Sequence, residues 1–488
     1  MSATLHLTQL IGGEARAFGN VHALDVYEPA TGQSYALCPA GTAADVDDAV
    51  RAANAAFPMW SALPNDARAQ WLQQLADALE MRAEDFVQAE SRDTGKPLWL
   101  VRQVEIPRAI TNLRFFAAAA TQFASESHHG QAGLNYTLRQ PLGAVTCISP
   151  WNLPLYLFTW KIAPALAAGN CVVAKPSEIT PVTAWMLGEL AREIGFPAGV
   201  LNIVHGLGPV VGSAMVEHAG IKAVSFTGST AVGRQIAAHC GPALKKMSLE
   251  LGGKNPTLVF ADAFNDESLR ERLLDTVVRS AFQNSGQICL CGSRILVERS
   301  IYDAFRAAFV ARVELLHVGD PLDPVTSIGP LVSRAHYDKV LACIAIARHE
   351  GGHVLCGGEA LQLTGHCEDG WFIEPTVIEG LGPDCRSNTE EIFGPVVTLQ
   401  AFDDDAHALA LANATPYGLS ASVWTQRLDR AHRIAANLRA GIVWINTWMT
   451  RDLRTPFGGV GQSGLGREGG IEAMRFFTEP KNVCVQLY

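Results

Sequence analysis

The sequence predicts an α/β protein built on two parallel sheets, and three observations point to this fold class. From about residue 143, short β-branched runs alternate with amphipathic helical stretches. A second series of the same kind begins near residue 251, and the first 120 residues read as mainly helical after a short strand-like start. Alternating strands and helices predict parallel βαβ units. At 488 residues the chain exceeds the size of one hydrophobic core, so two or three domains are expected.

The first series contains four strand-like runs, which are GAVTCIS, CVVAK, VLNIVHG and AVSFTG. Apolar residues recur at helical spacing over 179–195, soon after the second run. Lys175 and Glu178 are therefore predicted to lie at a strand-to-helix turn. Ligands bind at such turns in open α/β sheets, so both residues are candidates for a binding site.

The second series contains five strand-like runs, which are TLVF, RILVE, VVTLQAF, SASVWT and GIVWIN. Helices are predicted between them, for example over 266–285 and 302–316. These elements indicate a second α/β domain. The sequence shows no internal repeat, low-complexity tract or proline-rich linker, so the joints between domains are expected to be short.

Composition indicates a globular protein and argues against nucleic acid as a partner. Hydrophobic residues make up 48% of the chain and charged residues 18%, unlike disordered or fibrous proteins. The net charge is -10, and no basic run overrides it. A negative protein repels the phosphate backbone, so nucleic-acid binding is not expected.

Three further features bear on location. The first 18 residues lack a basic segment followed by an unbroken apolar one, so no secretory signal is expected and the cytoplasm is the default. The uncharged stretch 141–160 has the length of a membrane span, but three prolines and Asn152 favour a buried strand, turn and helix instead. The chain has 11 cysteines, an odd number, which favours reduced thiols over a disulfide framework.

The run FTGSTAVG places Gly228 and Gly233 between a predicted strand and a predicted helix. Small residues there let backbone amides approach a pyrophosphate at the helix N-terminus. The spacing is not the strict G-x-G-x-x-G pattern, so a purely structural turn is the alternative.

Six further motifs occur along the chain and add weight to a functional interpretation of this turn. They are PWN at 150–152, KPSE at 175–178, MSLELGGKN at 247–255, GQIC at 286–289, EEIFGP at 390–395 and PFGG at 456–459. In order and spacing, the sequence resembles the aldehyde dehydrogenase superfamily from about residue 8 to the C-terminus. Within it, the sequence is most similar to the 2-aminomuconic and 2-hydroxymuconic semialdehyde dehydrogenases, through the runs IPRAITNLRFFA, ISPWNLPLYLFTWKIAPA, ICLCGSR and NTWMTRDLRTPFGG.

The resemblance implies the aldehyde dehydrogenase fold, with a Rossmann-like cofactor domain, a second α/β catalytic domain and a small oligomerisation element. The expected boundaries are 1–124 with 143–249 for NAD binding, 250–445 for catalysis, 125–142 with 472–488 for oligomerisation, and 446–471 for a segment that lines the substrate tunnel and returns to the cofactor domain. A homo-oligomer is expected, either a dimer or a tetramer.

Cys289 matches the nucleophile of the family. A bare aldehyde cannot expel hydride, whereas the tetrahedral adduct of a thiolate can, so the chemistry needs such a residue. The alternative is a buried structural cysteine, the usual fate of a lone thiol. Cys291 lies two positions on, but no Cys/His pair with zinc spacing accompanies it, so no metal site is expected; packing or an oxidation partner are its open roles.

Asn152 and Glu250 match the other two catalytic positions. Asn152 resembles the oxyanion donor, which acts with the backbone N–H of Cys289, and its alternative is a turn-forming residue after Pro150. Glu250 lies between Leu249 and Leu251, a setting apolar enough to raise a carboxyl pKa, and resembles the general base. Its alternative is an exposed residue at a strand end.

The resemblance also implies a site for NAD. Lys175 and Glu178 match positions at the adenosine ribose, Glu391 and Phe393 match positions at the nicotinamide ribose, and Ser229 and Trp151 flank the pyrophosphate. Ile148, Gly228 and Gly233 complete the expected cofactor set. For Glu391, the alternative is an ordinary member of the acidic pair Glu390–Glu391.

The substrate side has two groups of candidates. Leu153, Tyr156, Trp160 and Phe457 resemble the lining of the family's substrate tunnel, although an aromatic stripe is more often plain core. Arg108 and Arg451 match positions that bind the substrate carboxylate in the muconic semialdehyde relatives, with Arg454 as the second choice for the latter. Surface or interdomain salt bridges are the alternative role for these arginines.

The expected function is therefore NAD-dependent oxidation of an aldehyde to a carboxylic acid, through a thiohemiacetal and a thioester on Cys289. The expected substrate is a semialdehyde that carries a carboxylate. The alternatives are an aldehyde dehydrogenase of broad specificity and a binding or structural protein that keeps the fold without turnover. Relatives that pass the thioester to CoA generally lack a base at the Glu250 position, so hydrolysis is favoured.

Overall fold

The computed structural model describes residues 4–17 and 23–486. The outermost residues of the expected segments, 1–3 and 487–488, and the stretch 18–22 therefore lie outside the described residues. The strands in chain order are β1 (Leu5–His6), β2 (Gln9–Ile11), β3 (Glu14–Arg16), β4 (Ala23–Glu28), β5 (Gln33–Pro39), β6 (Ser127–Gly130), β7 (Gly133–Pro141), β8 (Ala144–Ile148), β9 (Cys171–Lys175), β10 (Leu201–Ile203), β11 (Ile221–Thr227), β12 (Lys246–Glu250), β13 (Pro256–Val259), β14 (Arg294–Glu298), β15 (His353–Cys356), β16 (Ala360–Leu361), β17 (Phe372–Ile373), β18 (Thr376–Glu379), β19 (Val396–Phe402), β20 (Ser420–Trp424), β21 (Ile442–Ile445), β22 (Gly464–Leu465) and β23 (Thr478–Gln486).

The helices in chain order are α1 (Ala43–Ala62), α2 (Asn65–Met81), α3 (Ala83–Thr94), α4 (Leu98–Leu100), α5 (Ile106–Thr121), α6 (Pro154–Ala167), α7 (Val182–Glu193), α8 (Ser213–Glu217), α9 (Thr230–Cys240), α10 (Ala261–Phe264), α11 (Glu267–Phe282), α12 (Tyr302–Val313), α13 (Arg334–His349), α14 (Arg386–Thr389), α15 (Asp405–Ala412), α16 (Leu428–Asn437) and α17 (Gly470–Phe476).

The first large sheet has the strand order β22-β12-β11-β8-β9-β10-β2-β3 among the described residues. Its five central strands are parallel, and β22 and β2 join them antiparallel. Every residue of β8 and β9 is buried, as expected for parallel strands that are covered on both faces. The four runs of the first predicted series therefore form strands in this sheet.

The chain reverses its direction across this sheet between β8 and β11. From β8 it proceeds to β9 and β10 on one side, and then it returns to place β11 and β12 on the other side. In open α/β sheets, ligands bind beyond the carboxyl ends of the strands at such a switch point. The segments that follow β8 and β11 are 149–153 and 228–229, which contain several of the predicted site residues.

The second large sheet has the order β15-β18-β19-β14-β13-β20-β21 within the described part of the chain. All neighbours are parallel except β15 and β18. The five runs of the second predicted series supply β13, β14, β19, β20 and β21. Cys289 precedes β14 and Glu391 precedes β19, so the second sheet presents the amino ends of its strands to the carboxyl ends of the first.

Smaller sheets complete the fold. Strands β1, β5 and β4 form one, β16 and β17 form another, and β23, β7 and β6 form a third. The third sheet joins the end of the chain to residues 127–141, and β23 pairs with β7 over their whole lengths. The expected domain boundaries stay a prediction.

One predicted helix ends early. The pattern predicts helix over 266–285, but α11 ends at Phe282. Asn284 and Ser285 both have φ of 54°, which is the left-handed region and cannot continue a right-handed helix. The chain therefore turns sharply before Cys289 instead of presenting it directly at a helix end.

Helix α6 carries the candidate substrate residues and is buried along its whole length. It begins with Pro154, which suits a first turn because the missing N–H has no intrahelical partner there. The stretch 141–160 thus forms the buried strand, turn and helix that the sequence predicts. No helix in the described ranges is both long and apolar enough to cross a membrane.

Candidate active site

A cavity of about 260 Å³ lies at the switch point, between the two large sheets. Seven predicted residues line it, namely Trp151, Asn152, Gly228, Ser229, Cys289, Glu391 and Phe393. Residues of the PWN, MSLELGGKN, GQIC and EEIFGP motifs thus meet at one cavity, whereas Glu250 and the residues of KPSE and PFGG do not line it. The cavity is also lined by Pro150, Thr227, Leu251, Gly252, His336 and Lys339, none of which was predicted to bind or react.

The loop that carries Cys289 is fixed through its backbone. Asn255 donates its amide to the carbonyl oxygens of Cys289 and Cys291, at 2.7 and 2.9 Å. The indole of Trp448 donates to the carbonyl of Leu290 at 2.9 Å. These bonds hold the backbone from Cys289 to Cys291 without the help of a substrate.

Asn152 is tied to the same loop by two reciprocal bonds. Its side-chain amide donates to the carbonyl of Gln287 at 2.9 Å, and the amide of Asn284 donates to its backbone carbonyl at 3.0 Å. An N–H donor is therefore held beside the thiol. Neither Asn284 nor Gln287 was assigned a role from the sequence, although Gln287 stands inside the GQIC motif.

The environment of Cys289 favours the protonated thiol. Burial raises its pKa above the ordinary range, and the carboxylates of Glu391 and Glu250 act in the same direction. The positive charge of Arg451 opposes them. A base is therefore needed to generate the thiolate.

Glu250 is the last residue of β12 and is only 3% exposed, which rules out its alternative as an exposed residue at a strand end. Neither carboxylate oxygen has a hydrogen-bond partner within the described residues. Burial raises its pKa well above the ordinary value, and the nearby carboxylate of Glu468 raises it further. Lys161, Arg467 and Arg451 oppose this shift.

A buried ion pair lies next to Glu250. Lys161 donates to Glu468 at 2.7 Å and to the hydroxyl of Ser225 at 3.1 Å, and Ser225 donates to Glu468 at 3.0 Å. The sequence analysis missed this pair. Lys161 lies in an apolar helix and Glu468 in a loop, with no local signal that joins them.

Lys175 and Glu178 do not line this cavity; Lys175 ends β9, next to β8, and donates to Glu178 at 2.9 Å. Glu178 also accepts from the backbone N–H of Gly208 at 3.3 Å. Burial opposes ionisation of Glu178, but Lys175 and these hydrogen bonds outweigh it and lower its pKa. The two residues lie at the predicted strand-to-helix turn, before α7. Ile148 ends β8 and pairs in register with Lys175.

Two glycines that line the cavity, Gly228 and Gly252, have no space for a side chain. A side chain at Gly252 would collide with the carboxylate of Glu391, and one at Gly228 would collide with the ring of Phe226. Ser229 caps α9 by accepting from the N–H of Val232 at 3.3 Å. The placement of Gly233 before the helix is wrong, because Gly233 lies inside α9, where its missing side chain leaves room for Leu251.

Glu391 and Phe393 lie together on one wall. Glu391 accepts from the N–H of Gly253 at 2.9 Å, and burial raises its pKa. Phe393 has φ of 64°, and its carbonyl lies 2.7 Å from Nε2 of His336. Trp151 packs against both rings, with centroids 5.2 Å from Phe393 and 5.0 Å from His336. His336 comes from α13, far from every motif, so no sequence signal could place it here.

Arg108 and Arg451 converge on one aromatic wall. The guanidinium of Arg108 lies 5.0 Å from the ring of Tyr156 and 5.7 Å from that of Trp160. That of Arg451 lies 5.2 Å from Trp160 and 4.0 Å from Phe457, and it donates to the hydroxyl of Tyr156 at 3.3 Å. Leu153 precedes this wall as the last residue before α6.

Neither guanidinium forms an ion pair with a carboxylate among the described residues. One terminal nitrogen of each, Nη2, is buried without a hydrogen-bond partner. Arg108 donates only to the amide oxygen of Asn112, at 3.1 Å, and burial lowers its pKa. Arg454, the second choice, is instead 81% exposed and pairs with Asp452 at 2.6 Å.

Two features lie outside this site. A larger groove of about 690 Å³ runs between α3, α7 and the N-terminal strands, and none of the predicted site residues lines it. Asp320, His366 and Cys367 hold potential metal ligands within 4.8 Å of one another, although His366 and Asp320 already pair at 3.0 Å. The expectation that the site needs no metal stays a prediction.

Comparisons with known proteins agree with this geometry. The chain matches the model of the aldehyde dehydrogenase family over residues 18–483. It is 49% identical to 2-aminomuconic semialdehyde dehydrogenase of Danio rerio over 468 residues, which cover 95% of each protein. It is 44% identical to 2-hydroxymuconic semialdehyde dehydrogenase of Pseudomonas sp. strain CF600, over 94% of this chain and 95% of that one. The structure of PnpE from Pseudomonas sp. WBC-3 with nicotinamide adenine dinucleotide superposes with a TM-score of 0.95, at 43% identity, over 98% of this chain and 97% of that one.

Proposed function

The chain belongs to the aldehyde dehydrogenase family, and from that membership and the geometry of its site we propose that it oxidises a carboxylate-bearing semialdehyde to the acid, with NAD as the oxidant. The observation that carries the substrate class is the pair of guanidinium groups, Arg108 and Arg451, that share an aromatic wall and have no acidic partner in the described part of the chain. A buried guanidinium is stabilised by a carboxylate that it can bond in bidentate fashion. The substrate would bring that carboxylate.

The named relatives support this substrate class. They are dehydrogenases of 2-aminomuconic and 2-hydroxymuconic semialdehyde, and the semialdehyde of a dicarboxylic acid keeps one carboxylate beside its aldehyde. In this chain, the charge of Arg451 opposes the rise in the pKa of the Cys289 thiol, and its guanidinium contacts Trp160 and Tyr156 of α6, the helix that begins two residues after Asn152. A short substrate could therefore place its carboxylate at the arginines and its aldehyde at the sulfur.

The proposed reaction begins at Cys289. Its thiol loses a proton to a base, and the thiolate adds to the aldehyde carbon to form a thiohemiacetal. Negative charge develops on the aldehyde oxygen, where the amide of Asn152 and the backbone N–H of Cys289 would donate. The amide of Asn152 is held beside the loop by its bond to Gln287, so little reorganisation is needed.

The site suits NAD. We propose that Lys175 and Glu178 bind the adenosine ribose, that Gly228, Ser229 and Trp151 bind the pyrophosphate at the start of α9, and that Glu391 and Phe393 bind the nicotinamide ribose. The last five of these residues line the cavity, which supports their part of the assignment. The absence of a side chain at Gly252 lets the carboxylate of Glu391 approach closely, which sets the position of one proposed ribose ligand. NAD, when bound, supplies the hydride acceptor. Loss of hydride from the thiohemiacetal leaves a thioester on Cys289.

Hydrolysis of the thioester completes the proposed cycle. Glu250 would take a proton from water, the resulting hydroxide would attack the thioester carbon, and the acid would leave as the thiol re-forms. A carboxylate is an effective base near neutral pH when its pKa is raised, and burial with Glu468 raises that of Glu250. Neither oxygen of Glu250 accepts a hydrogen bond from the described residues, which supports a role for both as acceptors for the attacking water.

The substrate class is tested by Arg108→Ala and Arg451→Ala, each assayed with succinic semialdehyde and with an uncharged aldehyde of similar length. Truncating one partner of a desolvated charge pair costs about 2 to 5 kcal/mol, or roughly 30-fold to several thousand-fold. We expect a loss of that size in kcat/KM for the semialdehyde and little change for the uncharged aldehyde.

Arg454→Ala is the matched control, because Arg454 lies on the same loop and is exposed and paired with Asp452. It is expected to leave both substrates unchanged. Equal losses for both aldehydes in the Arg108 and Arg451 variants would show that the arginines are structural. An aldehyde dehydrogenase of broad specificity would then be the better description.

We further propose that the protein is a cytoplasmic homo-oligomer and that its domains divide as the sequence predicts. All eleven cysteines are free thiols, which suits a reducing compartment. Strand β23 forms one edge of its sheet, and an edge strand of nine residues offers backbone groups to another chain. Light scattering coupled to size-exclusion chromatography would distinguish a monomer from a dimer or tetramer.

A further inference from the structure

Two helices that frame the site lack a cap of their own. The residues before α6 and α7 are Leu153 and Pro181, and neither provides a side-chain hydrogen bond to the helix that follows. By contrast, Ser229, Asp266 and Ser333 cap α9, α11 and α13 from their own side chains. The first amides of a helix need acceptors, and buried ones cannot use water.

The missing acceptors come from α3. Glu90 accepts from the N–H of Leu155 at 3.2 Å, and Leu155 is the first residue of α6 with an N–H, since Pro154 has none. Asp93 accepts from the N–H of Val182, the first residue of α7, at 2.9 Å. One buried turn of α3 therefore caps both helices.

Glu90 spans both helices. Its second oxygen accepts from the hydroxyl of Thr183 in α7 at 2.5 Å, while its first bonds α6. The side chain is fully buried, as is the nearby ion pair of Lys96 and Glu105. Burial raises the pKa of Glu90 to about 7, and the charge of Lys96 limits the rise. A neutral side chain of the same shape should therefore be tolerated here.

Helix α6 begins two residues after Asn152. The segment from Ser149 to Leu155, which joins β8 to the first turn of α6, is tethered at each end. The N–H of Ser149 donates to the carbonyl of Lys175 at 3.1 Å, and the N–H of Leu155 donates to Glu90. Between these points, Trp151 and Asn152 accept through their carbonyls from Thr180 at 3.3 Å and Asn284 at 3.0 Å. Glu90 supplies the only one of these four bonds that fixes the start of α6.

We propose that Glu90 is a positioning residue, which sets the oxyanion donor Asn152 by anchoring the N-terminus of α6 from a different helix. The N-cap of α6 is Leu153, a candidate for the substrate tunnel. An apolar residue at that place cannot also cap the helix, so the capping acceptor comes from α3. The inference rests on the proposed role of Asn152.

Three variants of Glu90 test separately its role as a hydrogen-bond acceptor and its negative charge. Glu90→Asp keeps the charge but withdraws the carboxylate by about 1.5 Å, one carbon–carbon bond. Glu90→Leu fills the space without an acceptor, and Glu90→Gln keeps the acceptor without the charge. In single turnovers with succinic semialdehyde and saturating NAD, we expect the Asp and Leu variants to form the first NADH about 10- to 100-fold more slowly.

The Gln variant is expected to stay within about threefold of the native rate, as is Thr183→Val, which removes the other partner of Glu90 and leaves the bond to Leu155. The dissociation constant for NAD, measured by calorimetry, should be unchanged in all four. Rates are expressed per NAD-binding site, counted by the same calorimetry, so that a fall in stability alone does not lower them.

Two outcomes would overturn the inference. Asp and Leu variants that melt at lower temperature but keep the native first-turnover rate would make Glu90 structural only. A Gln variant slowed as much as the Asp variant would assign the effect to something other than the acceptor. Asn152→Ala, assayed in parallel, tests the underlying role: if it leaves the first turnover unchanged, the proposed oxyanion function fails, whatever Glu90 does.

Discussion

At the proposed cofactor end of the site, Lys175 and Glu178 already bond each other at 2.9 Å, whereas at the substrate end Arg108 and Arg451 each bury an unpartnered nitrogen within the described structure. Glu250 shares this unsatisfied state, with both oxygens free. Buried polar groups are costly when unpaired. The difference suggests that the cofactor end is preorganised by the protein, while the other end is completed by substrate and water.

The largest effect is expected from Cys289→Ala. Without the thiolate no adduct forms, so NADH production should fall to the background rate, while the affinity for NAD stays within about twofold of native because the thiol is not part of the ribose or pyrophosphate contacts. Absorbance at the NADH band and calorimetry with NAD measure the two properties. Cys291→Ala is the matched control. Appreciable turnover by the Cys289 variant would refute the proposed mechanism.

A smaller but distinctive effect is expected from Glu250→Ala. The first hydride transfer should proceed and the thioester should then persist, which gives about one NADH per site followed by a rate about 100- to 10,000-fold below native. Rapid mixing followed by mass spectrometry of the acylated protein checks both stages. Absence of any burst would show that Glu250 acts earlier, in activating the thiol.

A substitution at the preorganised cofactor end of the site is expected to have a smaller effect on catalysis. Glu178→Gln removes a carboxylate that would bond the ribose hydroxyls and repel a 2′-phosphate, so the preference for NAD over NADP should fall by about tenfold. Glu189→Gln, an equal charge change on α7 where Glu189 pairs with Arg192, should leave the preference unchanged. Steady-state kinetics with both cofactors decide the matter. Equal use of NAD and NADP by the native protein would contradict the assignment.

The smallest effect concerns pH. The carboxylate of Glu468 raises the pKa of Glu250, so Glu468→Gln should lower that pKa, and the freed charge of Lys161 should lower it further. Glu250 is active as a base when ionised, so the acid limb of the deacylation rate should move to lower pH. The pH profile of thioester hydrolysis measures this shift. A move to higher pH would show that Glu468 does not act on Glu250 through its charge.

The sequence predicted four strands of the first large sheet and five of the second, because each of them is a short β-branched run, and it missed β12, β22, β15 and β18. It could not predict that β2, near residue 10, would join the first sheet beside β10, since a three-residue strand has no distinct signal. The early end of α11 was also missed. Asn adopts the left-handed conformation more readily than most residues, but Ser does not, so no local signal predicts that both residues take it in this loop.

The residues of the site also divide into those that a sequence pattern could identify and those that it could not. Residues inside motifs, such as Cys289 and Asn152, could be named before the structure, and the cavity contains both. Residues that lie outside the motifs could not be identified from the sequence. His336 enters from α13, and Glu90 reaches two helix ends through bonds that join positions 65 and 93 apart in the chain. Such contacts depend on how the helices pack, which no local pattern encodes.

The C-terminal return of the chain has a consequence for biosynthesis. Strand β22 pairs with β12 and places Gly464 opposite Glu250, and Glu468 bonds Lys161 across 307 positions of sequence. A ribosome adds about 5–20 residues per second and releases the N-terminal part first. The thiol and the oxyanion donor can therefore emerge well before the surroundings of the base exist. A growing chain could fold much of its first sheet, yet it would acquire hydrolytic competence only when its last segment has left the ribosome and closed that edge.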